Sequence, residues 1–336
     1  MATADLMADA RAGNGDAFRE LTEPHRRELQ VYCYRMLGSL HDAEDALQDT
    51  FLSAWQGLEA FEGRASLRTW LYRIATNRCL NMRRSATRRQ AKEWDVAGVQ
   101  PPDPTRLGEV VWLEPIPDAI LDDASDWPLG PAARHERTES ISLAFVTAVQ
   151  LLPPRQLAVL VLRDVLGFHA SEVATMVDSS IESVNSALKR ARASLQRRFP
   201  PNADREPAPA VGSRAEEALV AEFVRAYEAA DLPALIALLT DDVFMSMPPM
   251  PLEYEGREAV AGFSALIFRS GREYDLVPTR ANGQPAFGIY VTGPGGVRHA
   301  AGMVVITLAG EKICSLTRFE SGLLPWFGLP RALPNG

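Results

Sequence analysis

Residues 151–199 read LLPPRQLAVLVLRDVLGFHASEVATMVDSSIESVNSALKRARASLQRRF. Pro153-Pro154 opens an apolar helix over Leu157–Leu166, and Gly167 ends it. His169–Val177 is a short helix, Asp178-Ser179-Ser180 a turn, and Ile181–Arg198 a longer basic helix. Ser179 and Glu182 have capping-box spacing, which places the start of that last helix. A short helix, a tight turn and a longer basic helix form the helix-turn-helix layout, whose second helix enters the major groove of duplex DNA. Val173, Ala174, Val177, Val184 and Leu188 fall where the two helices pack together. Ser183, Asn185, Ser186, Lys189, Arg190 and Arg192 are left outward. Asn and Lys in the N-terminal half reach base edges, and the later arginines suit phosphates. Other helical hairpins share the pattern, and the turn here lacks glycine.

Charge is segregated around this block. The chain of 336 residues carries 35 basic and 43 acidic residues, a formal net charge of −8, which argues against nucleic acid when taken whole. Arg64–Lys92, however, holds nine basic residues and no acidic one, and Ile181–Phe199 holds five against Glu182 alone. Glu93–Glu139 between them holds eleven acidic residues and three basic ones. Local fields of this kind attract phosphate even on an acidic protein. The Pro- and Asp-rich stretch Gly98–Pro131 lacks periodicity, as does Pro200–Ser213, and both read as linkers.

In the block before the first linker, Ala43, Ala46, Leu47, Phe51 and Ala54 recur at helical spacing, with Asp42, Asp45 and Asp49 on another face. Spacing alone leaves two readings open, a solvated acidic face or a docking face for a basic partner. After the turn Glu62–Ser66, a second helix carries Trp70, Leu71, Ile74, Ala75 and Leu80 on one side. Arg68, Arg73, Asn77, Arg83 and Arg84 lie on the other. Basic residues interleaved with aromatics suit single-stranded nucleic acid, cations tracking the backbone while aromatic and polar groups take unstacked bases.

The strings DAEDALQDTFLSAWQGLEAF (42–61) and FEGRASLRTWLYRIATNRCLNMRR (61–84) resemble region 2 of the extracytoplasmic-function (ECF) bacterial sigma factors. Residues 151–199 resemble their region 4, so the likeness spans about residues 10–199. Two positions depart from the usual pattern: His169 stands where Ser or Thr commonly begins the first helix of the motif, and Asn185-Ser186 replaces a more basic pair. The resemblance implies that Asp42, Asp45, Gln48, Asp49 and Trp55 dock on the β′ clamp of core RNA polymerase. It implies that Arg64, Ser66, Arg68, Trp70, Arg73, Asn77, Arg83 and Arg84 open the minus-ten element and hold a flipped base, which costs only a few kcal/mol of unstacking in A/T-rich DNA. It assigns Ser183, Asn185, Ser186, Lys189, Arg190 and Arg192 to the minus-thirty-five duplex, and threads the acidic linker toward the polymerase active-site channel. The partners expected are core RNA polymerase (β′ clamp and β subunit) and promoter DNA, with an anti-sigma protein or a small ligand of the tail as further candidates.

Residues 214–330 exceed a minimal factor of this group. Ala218–Ala230, Leu232–Leu239 and Gly256–Ile267 read as helices; Val243–Met247, Ala286–Thr292, His299–Leu308 and Ile313–Glu320 read as strands. This α+β order is similar to the SnoaL-like cone, the fold shared with nuclear transport factor 2 and small cyclases and isomerases. Met245, Met247, Tyr254 and His299 are candidate pocket residues, with a plain core as the competing reading. Asp241, Asp242 and His299 are the acid–base candidates, but no second group stands at a convincing position, so catalysis is not expected. The apolar end, Gly322–Pro334, is expected to pack against the sigma domains.

The architecture expected is therefore multidomain. A region 2 helical bundle (10–92), an acidic linker (93–138) and a region 4 helix-turn-helix (139–199) are followed by a Pro-rich linker (200–213) and an α+β SnoaL-like cone (214–330). Three separated cysteines exclude a disulfide framework or a Cys-only zinc site. No run approaches the roughly 18 apolar residues of a membrane span, and no signal-peptide layout opens the chain. A cytoplasmic protein without metal or cofactor is expected. The function expected is an alternative sigma factor regulated in cis by its tail. The alternatives are a helix-turn-helix regulator with a ligand-sensing domain, or a small-molecule enzyme with a DNA-binding appendage. The acidic and basic-aromatic helices before the linker favour the first, since a conventional regulator needs neither.

Overall fold

In the computed structural model the basic helix begins at Ile181, and its cap is Ser180 rather than Ser179: the Ser180 Oγ accepts from the Ser183 N–H at 3.2 Å. The turn does without glycine because Asp178 itself takes the left-handed conformation, φ 49°, which a short polar side chain tolerates. His169 N–H donates to Glu172 Oε2 at 2.9 Å, so the acidic partner of a capping box is in place although the cap residue is histidine.

The structure describes residues 3–86, 91–94, 100–109, 112–122, 141–198, 206–293 and 295–334. They form two compact units: residues 1–89 with 119–201, and residues 90–118 with 202–336. Region 2-like and region 4-like helices therefore share one unit. The stretch expected as an acidic linker is divided between the two.

The first unit opens with α1 (Thr3–Arg11), α2 (Gly15–Leu37), α3 (Leu40–Gly57) and α4 (Leu67–Ala86). Asn14 caps α2 by accepting from the N–H groups of Asp16 and Ala17, and Gly38, φ 70°, ends it. Ser39 caps α3. The buried centre is aromatic: Tyr32 and Tyr72 meet edge to face at 5.1 Å, and the Tyr32 hydroxyl shares a 2.7 Å hydrogen bond with Thr76. Following α5 (Asp118–Asp122), which straddles the boundary between the units, come α6 (Leu143–Gln150), α7 (Pro154–Leu160), α8 (Ala170–Met176) and α9 (Ile181–Arg198). The apolar helix expected over 157–166 stops at Leu160 and widens into one π turn, Val161–Val165. Val173, Ala174, Val177, Val184 and Leu188 are all buried.

The second unit has α10 (Arg214–Glu228), α11 (Leu232–Ala237) and α12 (Arg257–Arg269) on a curved sheet. Its strands are β1 (Arg106–Leu107), β2 (Leu239–Met247), β3 (Met250–Glu255), β4 (Tyr274–Ala281), β5 (Gln284–Thr292), β6 (Arg298–Ala309), β7 (Lys312–Phe319) and β8 (Ala332–Leu333). They run in the order β1-β3-β2-β7-β6-β5-β4, β8 pairing the start of β6; β2 and β7 are parallel and every other pair is antiparallel. β3 and β4 were not expected from the sequence. β3 is half-buried along most of its length and so shows no alternation. β4 carries Pro278 and sits at the sheet edge, where a missing N–H is tolerated.

Three findings in this unit differ from expectation. The stretch before region 4 straps the sheet. β1 pairs with β3, and Thr105 N–H donates to the Glu253 carbonyl at 2.9 Å. At the opposite edge Pro117 bridges Ala281, and Ile116 exchanges 3.0 Å hydrogen bonds with Asn282, once through its side chain. Leu113 and Ile116 are buried there. Secondly, the apolar C-terminal end is seated on its own sheet: Leu323 and Leu324 are buried, and the Tyr290 hydroxyl donates to the Pro330 carbonyl at 2.7 Å. Thirdly, His299 is exposed, paired in register between Val291 and Ala332. A bulge at Ile289/Tyr290, opposite Gly302 (φ 153°), shifts the side-chain alternation before it reaches His299.

Candidate nucleic-acid interface

The basic helix of region 4 presents Ser183, Asn185, Ser186, Lys189, Arg190 and Arg192 on its exposed side, as the period required. Five of the six are open to a ligand without rearrangement. Arg192 is held in a bidentate pair with Asp164 at 2.7 and 2.8 Å. Ile181, 45% exposed at the helix start, adds an apolar contact that the charge pattern did not suggest.

α4 divides its cations into two classes. Arg73, Asn77 and Arg84 are exposed, as are Arg64 and Ser66 ahead of the helix, with Arg64 paired to Glu62 at 2.6 Å. Trp70 is half-buried against Phe61, ring centroids 4.7 Å apart. Arg68 and Arg83 instead face other helices of the unit. Arg68 Nε donates to both Glu28 oxygens at 3.0 and 3.2 Å, and its guanidinium lies 5.0 Å from the Tyr72 ring and 4.4 Å from that of Phe168. Arg83 donates to the Met36 carbonyl at 2.9 Å, the Gln150 carbonyl at 3.0 Å and the Gln150 side chain. Thr69 Oγ1 donates to Glu172 at 3.2 Å. So the helix expected to read single strands is packed by Phe168, Glu172 and Gln150 of the region 4 half, and two of its cations are spent on that packing.

Burial raises the Glu28 carboxyl, but hydrogen bonds from His25 and Arg68 and the Arg68 charge outweigh it and hold the group below the usual carboxylate range. A lowered folded pKa stabilises the fold above the unfolded value and is lost as pH falls through the folded one. Acid unfolding followed by circular dichroism should therefore weaken for Glu28→Gln, its curve flatter than wild type below the ordinary carboxylate range and offset at neutral pH.

On α3, Asp45, Gln48 and Asp49 are exposed along one face with Leu52, which is 55% exposed. Neither Asp45 nor Asp49 pairs with another described residue. Asp42 does not belong to that face: it is 8% exposed in the first turn, next to the Ser39 cap. Trp55 is half-buried, edge-on to Phe18 at 5.1 Å. Leu52 was missed because the sequence assigns no partner to a lone leucine between polar residues. Its signal is spacing, three and seven residues after Asp49 and Asp45.

Of the pocket candidates in the second unit, Met245 lines a cleft that Met247, Tyr254 and His299 do not. Met247 and Tyr254 are core, each 1% exposed, and the Tyr254 hydroxyl donates to the Pro102 carbonyl at 2.8 Å. Burial, with the Asp103 charge nearby, pushes that phenol up to about 12. His299 points outward, as described. Asp241 is exposed and paired with Arg257 at 2.9 Å, and Asp242 is exposed beside it, so neither enters the cone. Among the described residues no cluster of His, Cys, Asp or Glu could hold a metal ion, and no helix is long and apolar enough to cross a membrane.

The family models described as Sigma-70 region 2, Sigma-70 region 4 and SnoaL-like domain match residues 21–89, 142–195 and 220–316. The ECF RNA polymerase sigma factor SigG of Mycobacterium tuberculosis is 41% identical over 338 residues, covering 97% of this chain and 86% of the relative. The ECF RNA polymerase sigma factor SigW of Bacillus subtilis is 24% identical over 189 residues, 56% of this chain and 92% of its own. The crystal structure of the M. tuberculosis ECF sigma factor SigJ has the same fold, with a TM-score of 0.55 at 21% identity over 91% of this chain and 97% of that one. With both sigma regions in order, the helix-turn-helix exposed and a relative matched along nearly its whole length, the chain belongs to the ECF RNA polymerase sigma factors, with a SnoaL-like domain at its C-terminus.

Proposed function

We propose that the SnoaL-like domain controls this sigma factor in cis by holding the segment between regions 2 and 4. Its relatives are sigma factors, so the ligand-sensing helix-turn-helix regulator is set aside. A factor of this family acts with core RNA polymerase at promoter DNA. Exposed Asp45, Gln48, Asp49 and Leu52 suit docking on the polymerase. Arg73, Asn77 and Arg84, joined by Trp70, suit an unstacked minus-ten strand. Asn185 and Lys189 suit base edges of the minus-thirty-five duplex, with Arg190 on phosphate. None of these roles needs a catalytic group, and the reading is of a non-enzymatic cytoplasmic factor.

One observation carries the proposal. Residues 90–118 belong to the tail's unit, although they lie between the two sigma regions in sequence. Asp118 accepts from Arg280 at 3.2 Å and from the Gly283 N–H at 2.7 Å, and Arg280 also pairs with Glu216. A segment held this way cannot thread toward the polymerase channel. Release of the strap precedes initiation.

The test is run-off transcription with core polymerase and the full-length double variant Asp118→Ala, Asn282→Gly. Glycine keeps the φ of 56° that Asn282 adopts and removes the side-chain bond to Ile116. Charge-assisted hydrogen bonds contribute roughly 1.5–3 kcal/mol, so initiation should rise about tenfold or more. Unchanged or reduced initiation would refute the proposal.

A further inference from the structure

The concave side of the second unit's sheet holds a small cleft, partly open to solvent. Met245 of β2, Val304 of β6 and Leu316 of β7 form its floor, and Phe263 of α12 forms one wall. The lining is apolar except for three groups: Ser264, Tyr227 and Arg318. Ser264 spends its hydroxyl proton on the Val260 carbonyl at 2.8 Å. The other two are unspent.

Arg318 is half-buried on β7, in register with Val304 on β6. Elsewhere in this unit Arg257, Arg280 and Arg298 are each matched by a carboxylate, at 2.9, 3.2 and 3.1 Å. Arg318 has none among the described residues. Its guanidinium stands 5.9 Å from the centroid of the Phe263 ring. Drawing a cation partly out of water among Val304, Leu316 and Met245 is unfavourable unless an anion or a hydrogen-bond acceptor meets it. Tyr227, 7% exposed, makes no hydrogen bond through its hydroxyl to another described residue. Burial raises that phenol's pKa, and the Arg318 charge nearby opposes the rise. It is therefore a neutral donor beside a cation, and the two form a receptor for one anionic group at the end of an apolar trough.

We propose that this cleft binds a small apolar carboxylate, its head held by Arg318 and the Tyr227 hydroxyl and its body lying along Met245, Val304 and Leu316. Arginine meets a carboxylate through paired N–H donors in a fixed fork. Among its described lining residues the trough has no carboxylate or second cation to receive a dianion's other charge or an ammonium. Phe263 also carries Trp94, edge-on with centroids 5.8 Å apart. A head group that draws Arg318 off the Phe263 ring is thus felt at residues 91–94 of the strap. That consequence rests on control in cis; the binding does not.

The experiment is a ligand-observed NMR titration of the full-length protein with octanoate and, in parallel, with 1-octanol. Octanoate should bind saturably and about tenfold or more tightly than the alcohol, the margin of one charge-assisted contact. Arg318→Gln should remove that preference, bringing the two probes within about twofold. Arg318→Lys, which keeps the charge without the fork, should keep part of it, and Tyr227→Phe should lower octanoate affinity severalfold while leaving octanol unchanged. Circular dichroism of each variant establishes that the fold is intact. Absence of saturable octanoate binding to the wild-type protein overturns the proposal, as does equal affinity for the two probes. So does a preference for octanoate that survives Arg318→Gln, since the carboxylate then lies elsewhere.

Discussion

Reversing two charges on α3, Asp45→Arg with Asp49→Arg, should abolish measurable association with core RNA polymerase while leaving the fold intact. Both carboxylates are exposed and neither is paired with another described residue, so their loss removes no internal contact. Like charges set against a partner's cationic surface cost several kcal/mol, and each 1.4 kcal/mol is a factor of ten; the double variant should lose at least about a hundredfold in affinity. Fluorescence anisotropy of the labelled factor with core polymerase at two salt concentrations reads this directly. Asp42→Arg makes a pointed contrast. At 8% exposure beside the Ser39 cap, it should lower the melting temperature instead, since a bulky cation is forced into a packed first turn. Affinity of the Asp45/Asp49 variant within threefold of wild type would show that the exposed face is a solvated surface and that docking uses other residues. Leu52→Ala should weaken the complex less, through lost apolar area.

The second large effect is expected at Phe168. Its ring is 4% exposed, edge-on to Tyr72 at 4.9 Å, and carries the Arg68 guanidinium at 4.4 Å. Phe168→Ala leaves a cavity between α4 and α8, at a cost of about 3–5 kcal/mol. Thermal unfolding should shift down. At the same time Arg68 loses one of its two aromatic faces, and α4 loses part of what covers it. Binding of a single-stranded A/T-rich oligonucleotide to the full-length protein should therefore rise severalfold even as stability falls. The opposed signs are the diagnostic, because a variant that merely unfolds lowers both. Hydrogen exchange along residues 67–86 provides the structural readout: faster exchange is expected there, and unchanged exchange would show that α8 does not cover this helix.

Much of this was legible in the sequence for a physical reason. The helices of the first unit are long, amphipathic and locally capped, so spacing alone places Leu71, Ala75 and Leu80 inward and Arg73 and Asn77 outward. The outward set Asn185, Ser186, Lys189 and Arg190 followed from the same arithmetic on α9. What stayed hidden depends on distant partners. Arg68 and Arg83 were grouped with the other cations by charge, but they turn toward neighbouring helices, where Phe168 and Gln150 meet them. Asp42 shares the spacing of Asp45 and Asp49, but the first turn of α3 is sunk beside α2. His299 was misplaced because side-chain direction in a strand depends on register, and a single bulge reverses it. The strap was read as a linker because it lacks periodicity. Its order comes from pairing with residues 252–253 and 281–283, which no local window contains.

That pairing has a consequence in time. Thr105 and Arg106 meet Glu253, 148 and 147 residues further along the chain. Ribosomes add about 5–20 residues per second, so the strap emerges roughly 7–30 s before the strand that receives it exists. During that interval both sigma regions leave the exit tunnel with the segment between them unclaimed. On the proposed control in cis, a newborn chain passes through an unrestrained stage that ends when β3 and the β4–β5 turn receive the strap. Nascent factor stalled before residue 250 should engage polymerase more readily than the released protein.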